Sequence, residues 1–270
     1  MRIGVVAPSS RFAPETVAPV QALAEAAGVD IHFHQQCFLT HGHFAGSDAD
    51  RLAALVEVAN DPAFDAIWFA RGGYGACRIA EEAVAALGST ARDKTYLGYS
   101  DHGYLLGALY RAGFPQVVHG PAPQDVLRIG GDAAIARALA WLTRRDRDAL
   151  DSHLEPGQRY AAFNLTVFGL LLGTALEPDL SGHILLLEDV AEHAYRIDRA
   201  LFHVSGQPHL RDLAGIRLGR VSEVPANDPD FGLGPEEIAR HWCERGGIPF
   251  LGSADIGHDA DNKVVPFGRL

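Results

Sequence analysis

The chain has 270 residues, of which 47% are hydrophobic and 21% charged, a composition that is typical of globular proteins and excludes a disordered chain. Its 34 acidic residues outnumber its 23 lysines and arginines, which gives a formal net charge of −11. Because so acidic a surface repels phosphate groups, we expect neither nucleic acid nor an anionic membrane as the main partner.

The three cysteines, Cys37, Cys77 and Cys243, form no CxxC motif and leave one thiol unpaired under any disulfide scheme. This pattern predicts reduced thiols and a cytoplasmic location. The short apolar run 3–8 predicts a buried first strand rather than a signal peptide. The most apolar later stretch, 165–176, is shorter than the roughly 20 residues that a bilayer requires, so no membrane association is expected.

Short apolar runs alternate with helical patterns over the first half of the chain, which predicts an α/β fold with a parallel sheet. The predicted strands span residues 3–7, 29–33, 66–70, 95–99 and 116–119. The predicted helices span about 14–27, 48–60 with Ser47 as N-cap, 79–87, and a segment between the last two strands.

A polar stretch at 144–160 predicts a linker between two domains. We therefore expect an N-terminal domain over 1–145 and a smaller C-terminal α/β domain over 160–270. In the second half, helices are predicted over 165–172, from about 195 onward and over 236–245, and strands over 183–187, 216–222 and 248–253.

In parallel sheets, ligands bind beyond the carboxyl ends of the strands, so polar residues that directly follow apolar runs are the first candidates for chemistry. Four places qualify: Arg71–Arg78, Gly98–Asp101, Glu188–Asp189 and Gly257–His258.

The segment Arg71–Arg78 reads Arg-Gly-Gly-Tyr-Gly-Ala-Cys-Arg and is a predicted strand-to-helix turn. Its glycines permit unusual backbone angles, and the free N–H groups of a helix start can bind an anion. Three interpretations stay open: a nucleotide phosphate loop, a nucleophile elbow, or a turn that serves packing only. A dinucleotide fingerprint would need a glycine at Arg78, and no Gly-Lys-Ser/Thr follows. A nucleophile elbow would have Ala76 at its apex, and alanine has no nucleophile.

The segment Gly98–Asp101 is a weaker second elbow, because His102 stands where Gly-x-Ser-x-Gly requires glycine. The pattern favours Ser100 or Asp101 as a helix cap.

Glu188 follows a buried apolar run, where a carboxylate can orient a histidine and stabilise its charged form. His258 could serve as a general base. For both residues a purely structural or solvating role remains the alternative. Two His-x-His pairs around Cys37 contain possible metal ligands, but their spacing matches no familiar zinc pattern.

These places, taken together, resemble the LD-carboxypeptidase family of serine peptidases. The matching segments run in order along nearly the whole chain: Val6–Ser9, Phe44–Asp48 with Arg51, Ala70–Gly75, Gly98–Asp101, His119–Pro121, Asn164–Leu165, Leu187–Val190, Tyr195–Arg199 and Gly257–His258 with Asn262 and Pro266.

The resemblance implies a flavodoxin-like N-terminal domain with a parallel sheet, a smaller C-terminal domain and a homodimer. No metal or cofactor is expected. It implies removal of the terminal D-alanine from the murein tetrapeptide during cytoplasmic cell-wall recycling. It also implies a Ser-Glu-His triad, which carried over to this chain falls on Ala76, Glu188 and His258. The residues expected to bind substrate or the oxyanion are Gly73, Cys77, Tyr99, Ser100, Asp101 and Arg196.

Ala76 departs from the family at the expected nucleophile. An inactive form, introduced or natural, would follow, or Cys77 would act in its place. A muropeptide-binding protein without catalysis and an acyl-nucleotide hydrolase of the microcin C type are the alternative functions. Arg71, Arg78 and Arg196 are the candidate side chains for the terminal carboxylate of the substrate.

Overall fold

The computed structural model describes residues 1–270, which form two β-sheets surrounded by helices. The strands are β1 (Arg2–Val6), β2 (Asp30–Phe33), β3 (Ala66–Phe69), β4 (Thr95–Gly98), β5 (Val117–His119), β6 (Arg159–Asn164), β7 (His183–Val190), β8 (Gly215–Ser222), β9 (Phe250–Ser253), β10 (Val265–Pro266) and β11 (Gly268–Arg269). The α-helices are α1 (Val17–Ala26), α2 (Asp48–Asn60), α3 (Ala80–Ala86), α4 (Ser89–Arg92), α5 (Gly103–Arg111), α6 (Gly131–Arg144), α7 (Leu165–Leu171), α8 (Ala194–Ser205) and α9 (Pro235–Gly246).

The first sheet has the strand order β10-β5-β4-β3-β1-β2, and all its neighbours pair in parallel except β10. Helices α1 and α6 pack on one face, and α2, α3 and α5 pack on the other. Because both faces are covered, the inner strands are apolar throughout, as in the fully buried Ala66–Phe69. The predicted parallel, flavodoxin-like α/β fold is confirmed.

The second sheet has the order β11-β6-β7-β8-β9, with a parallel core from β6 to β9 and an antiparallel edge at β11. Helices α7 and α9 pack against it, and α8 packs against both of these helices. Sequence patterns gave no strand at 159–164 and no helix at 131–144. They also ended the strands at 253, whereas β10 and β11 follow.

The C-terminal tail joins the two sheets, since β10 pairs with β5 of the first and β11 pairs with β6 of the second. Both hydrophobic clusters of the core likewise contain side chains from both halves of the chain. The segment 160–270 therefore contributes to both sheets. None of the helices has the length and apolarity needed to span a bilayer.

Candidate active site

Ser100 stands directly beyond the carboxyl end of β4, in a sharp turn that leads into α5. Its φ of 61° places a non-glycine residue in the left-handed region, a strain of about 1–3 kcal/mol that functional turns often store. Gly98 makes the turn possible, because a Cβ atom there would lie 2.8 Å from both Phe69 and His102. Strand, strained serine and helix together form the geometry of a nucleophile elbow.

The hydroxyl of Ser100 lies on a chain of hydrogen bonds with a histidine and a carboxylate. Ser100 Oγ is 2.9 Å from His258 Nε2, and His258 Nδ1 is 2.6 Å from Glu188 Oε2. The arrangement has the three roles of a hydrolytic triad, namely a hydroxyl, a base that can accept its proton, and a carboxylate that orients the base.

Glu188 is fully buried and His258 is 9% exposed, so their interaction is little screened by water. Burial by itself lowers the pKa of His258, but the charge and hydrogen bond of Glu188 outweigh it and raise the pKa above its ordinary value. Because the carboxylate accepts a hydrogen bond at Nδ1, the neutral ring carries its proton there and leaves Nε2 free to accept one.

Neighbouring strands and loops fix the positions of His258 and Glu188. Glu188 lies in β7. Gly219 of β8 allows the Glu188 side chain to lie close against that strand, since a Cβ atom on Gly219 would lie 2.9 Å from Glu188 Cβ. The segment of His258 is held by Asn262, whose Oδ1 accepts hydrogen bonds from the Gly257 N–H and the ring of the buried His119. Burial lowers the pKa of His119 to about 4, so that ring is neutral.

Ala76, the position expected for the nucleophile, makes no hydrogen bond to His258 in the structure. Ala76 is fully buried, and its N–H donates to Asp101 Oδ2 over 2.8 Å. The hydroxyl that contacts His258 belongs to Ser100, which the sequence predicts as a helix cap or a substrate-binding residue. Of the two strand ends considered as elbows, the one with the weaker sequence pattern therefore places a hydroxyl against His258.

The Gly-rich segment Arg71–Arg78 instead forms a wall beside Ser100. A Cβ atom on Gly72 would lie 2.9 Å from Ser100 Oγ, so only glycine fits against the serine. Gly73 and Gly75 have φ values of 99° and 137°, which other residues rarely adopt.

Two buried charged side chains hold this wall in place. Asp101 Oδ2 accepts hydrogen bonds from Ser9 Oγ at 2.6 Å and from the Ala76 N–H. Arg51, which is fully buried, donates to the Gly75 carbonyl at 2.8 Å and pairs with Asp48. Asp101 therefore positions the site, and its burial raises the pKa of its carboxyl group.

The remaining predicted site residues lie apart from the triad hydrogen bonds. Arg78 is paired with Asp48 through two nitrogens, at 2.9 and 2.7 Å. Arg196 lies in α8, 3.3 Å from Glu192, in a groove between α7 and α8 that contains no triad residue. Burial and the charge of Asp101 raise the pKa of the Cys77 thiol, which disfavours a reactive thiolate.

Tyr99 belongs to a network that sequence reasoning missed. Its hydroxyl donates to Asp125 Oδ1 at 2.7 Å, and Arg128 Nε donates to the same oxygen at 2.9 Å. The Tyr99 ring lies 5.0 Å from the His258 ring, between centroids. The only local sequence signal for this network was the spacing of Asp125 and Arg128, which lie three residues apart after a predicted strand.

The His and Cys residues at 32–43 do not converge on a metal site. Cys37 is buried with its thiol toward the Val5 carbonyl, and burial raises its pKa to about 12. His43 Nε2 is 2.7 Å from Ser10 Oγ. No group of three or more potential ligands comes together in the structure.

Family models and known proteins match nearly the whole chain. The model of the LD-carboxypeptidase N-terminal domain matches residues 3–120, and that of the LD-carboxypeptidase C-terminal domain matches residues 159–270. The murein tetrapeptide carboxypeptidase of Pseudomonas aeruginosa is 28% identical over 287 aligned positions, covering 99% of this chain and 91% of that protein.

Two solved structures show the same architecture. The muramoyltetrapeptide carboxypeptidase of Oxalobacter formigenes superposes with a TM-score of 0.82 at 25% identity, over 98% of this chain and 93% of that one. The microcin C7 self-immunity protein MccF, in complex with aspartyl sulfamoyl adenosine, gives a TM-score of 0.81 at 18% identity, over 99% and 91%. At that identity the second likeness concerns the fold alone. Because the two family models together match most of its length, this chain belongs to the LD-carboxypeptidase family.

Proposed function

We propose that the protein is an active serine-type LD-carboxypeptidase that removes the terminal D-alanine from murein tetrapeptide. The observation that carries the proposal is the hydrogen-bonded chain Ser100–His258–Glu188 at the end of β4. Family membership and the murein tetrapeptide carboxypeptidase among its relatives support the substrate class.

In the proposed reaction, Ser100 Oγ attacks the carbonyl carbon of the L-centre that precedes D-alanine, and His258 Nε2 takes the hydroxyl proton. When the tetrahedral intermediate collapses, the C–N bond breaks and His258 delivers that proton to the leaving amine of D-alanine. A water molecule then attacks the acyl-serine, again with His258 as the base, and releases the shortened peptide. Glu188 stabilises the imidazolium in both steps.

The oxyanion of each intermediate needs preorganised N–H donors. We assign the N–H of Asp101, which follows the nucleophile, together with the backbone of Gly72 and Gly73. The close packing of Gly72 against Ser100 supports this choice, and a donor of this kind is worth roughly 3 kcal/mol. Cys77 is left out, because no contact ties it to Ser100.

His258 and Glu188 are both present beside Ser100, whose backbone is strained. This arrangement favours an enzyme over a protein that only binds muropeptide. Cytoplasmic cell-wall recycling and a homodimer complete the proposal, and both rest on the family resemblance. Light scattering on the purified protein tests the dimer, and cell fractionation tests the location.

Three forms of the chain test the nucleophile: the protein as it is, Ser100→Ala and Ala76→Ser. Each is incubated with free tetrapeptide ending in D-alanine, and release of one alanine is followed by mass spectrometry. We expect the unmodified chain to cleave, and Ser100→Ala to lose roughly a factor of 10⁶ in kcat. Ala76→Ser should cleave the tetrapeptide no faster than the unmodified chain.

Cleavage by Ala76→Ser alone would return the nucleophile to position 76. Binding of the peptide without cleavage by any form would support the binding protein. An aminoacyl nucleotide assayed in parallel tests the acyl-nucleotide hydrolase, and a higher kcat/KM on it than on the tetrapeptide would displace the proposed substrate.

A further inference from the structure

Arg128 lies in the loop that follows β5, with its side chain 37% exposed. The one hydrogen bond of its guanidinium runs from Nε to Asp125 Oδ1 at 2.9 Å. Both η nitrogens are therefore left without an acceptor in the chain. A guanidinium held only by Nε presents its two-nitrogen fork outward, and this fork matches the geometry of a carboxylate.

Asp125 orients this guanidinium and is itself fixed. It is 4% exposed and accepts hydrogen bonds from the Tyr99 hydroxyl at 2.7 Å and from the Ala122 N–H at 2.9 Å. Asp125 shares its negative charge among three donors, so it holds the Arg128 guanidinium and leaves capacity there for a second carboxylate.

The loop of Arg128 borders the triad on the side of His258. Tyr99, which shares Asp125 with Arg128, directly precedes Ser100 and lies 5.0 Å from the His258 ring. A Cβ atom on Gly130 would lie 3.4 Å from Ala260, two residues beyond His258. The Arg128 charge also acts on His258, where it opposes protonation.

Other arginines around the site are already engaged. Arg220 is paired with both Asp255 and Asp259. Arg78 and Arg51 share Asp48. Arg71 donates to the Arg11 carbonyl at 2.9 Å and lines a separate groove that holds no triad residue.

We propose that Arg128 binds the C-terminal carboxylate of the peptide and so makes the enzyme a carboxypeptidase rather than an endopeptidase. The inference rests on the proposed function, because it assigns a specificity residue to that same site. An exopeptidase must recognise the charged end of its substrate only a few atoms from the scissile carbonyl. In a chain of net charge −11, the overall field repels an anionic peptide, so the attraction must come from a local cation.

The test compares the tetrapeptide acid with its C-terminal amide, for the unmodified chain, Arg128→Gln and Arg128→Lys. We expect the unmodified chain to prefer the acid by about 10- to 100-fold in kcat/KM, the worth of a charged hydrogen bond. Arg128→Gln should lose this preference while its kcat/KM on the amide stays nearly constant. Arg128→Lys should keep part of it. Arg240→Ala, an exposed arginine on α9 that pairs with Glu236, is the control and should behave as the unmodified chain.

The same comparison is made for binding, with every variant in the Ser100→Ala background and calorimetry as the readout. An acid preference that survives Arg128→Gln, in cleavage or in binding, would overturn the inference and leave the proposed function untouched. If the unmodified chain cleaves neither peptide, the proposed function fails. The binding arm still decides whether Arg128 reads the carboxylate. Thermal unfolding of Arg128→Gln checks that the loop keeps its fold.

Discussion

His258 is under two opposing influences that set its protonation. Burial disfavours the imidazolium and Glu188 favours it, with the net effect that the pKa lies above its ordinary value. In the proposed reaction His258 must be neutral to act as general base, so activity should fall as the pH drops through this raised pKa. The same pair stabilises the fold below the unfolded pKa of about 6.5, and this contribution is lost as the pH rises through the folded pKa.

Glu188→Gln should therefore change both the rate and its pH dependence. Without the carboxylate, burial dominates and the acid limb of kcat/KM moves to lower pH, while kcat falls by roughly 10⁴ because the imidazole is no longer held in its productive tautomer. Tetrapeptide cleavage measured across the acid and neutral range checks both effects. An acid limb at the same pH would show that Glu188 does not set the pKa of the base.

Cys77 should be dispensable. Burial and the charge of Asp101 raise the pKa of its thiol, and no hydrogen bond links it to His258. Cys77→Ala keeps the backbone N–H, so we expect kcat/KM within about threefold of the unmodified chain and slow alkylation of the native thiol. A large loss of activity, or rapid alkylation at neutral pH, would restore Cys77 as a candidate nucleophile.

At the scale of elements, the Gly-rich segment after β3 and the turn after β4 act as one unit. Asp101 connects the two through the Ala76 N–H, and Arg51 anchors the far end at Gly75. The absence of a side chain at Gly72 thus leaves room for Ser100.

Gly72→Ala tests this packing. The φ of Gly72 is outside the left-handed region, so alanine suits the backbone, but its methyl group would press on Ser100 Cβ and Oγ at 2.9 Å. We expect a loss of about 100-fold or more in kcat, since small displacements of a nucleophile are costly. The Tm should change little by comparison.

The matched control is Gly169→Ala in α7, where the added methyl meets no atom within 4 Å. This change should leave kcat unaltered and stabilise the helix by about 0.5–1 kcal/mol. Equal activity of the two variants would mean that Gly72 does not limit the position of the serine.

At the scale of the whole molecule, the C-terminal tail connects the segment of His258 to both sheets. His258 lies between β9 and β10, so its segment is anchored by the second sheet on one side and by the first on the other. Val264, Val265 and Phe267 are 0%, 0% and 5% exposed and fill the core where the sheets meet.

Removing residues 264–270 should cost on the order of 5 kcal/mol of unfolding free energy, from three buried side chains at about 1.5–3 kcal/mol each. Urea unfolding measures this loss. Removing only 268–270 deletes β11 and should cost far less. Equal losses for the two truncations would place the stabilisation in β11 rather than in the contact of the tail with the first sheet.

Local signals sufficed for many elements of the fold. The helix 48–60 was predicted with its bounds, because Ser47 and Asp50 form a capping box that depends on residues three apart. The strand at 66–70 was predicted to within one residue, because a run buried on both faces is apolar throughout. The strand β6 and the two tail strands were missed, since β6 directly precedes a helix and the tail strands are two residues long.

The sequence by itself determined the α/β class, the family and the segments that could hold chemistry, because periodicity, capping and motifs are written in neighbouring residues. Only the tertiary structure decided which strand end meets His258. Ser100 and His258 are 158 residues apart in the chain, and His258 and Glu188 are 70 apart. Two strand ends were candidate elbows, and a hydrogen bond of 2.9 Å from Ser100 to His258 distinguishes them. Such a distance depends on how the two sheets pack, which no local pattern encodes.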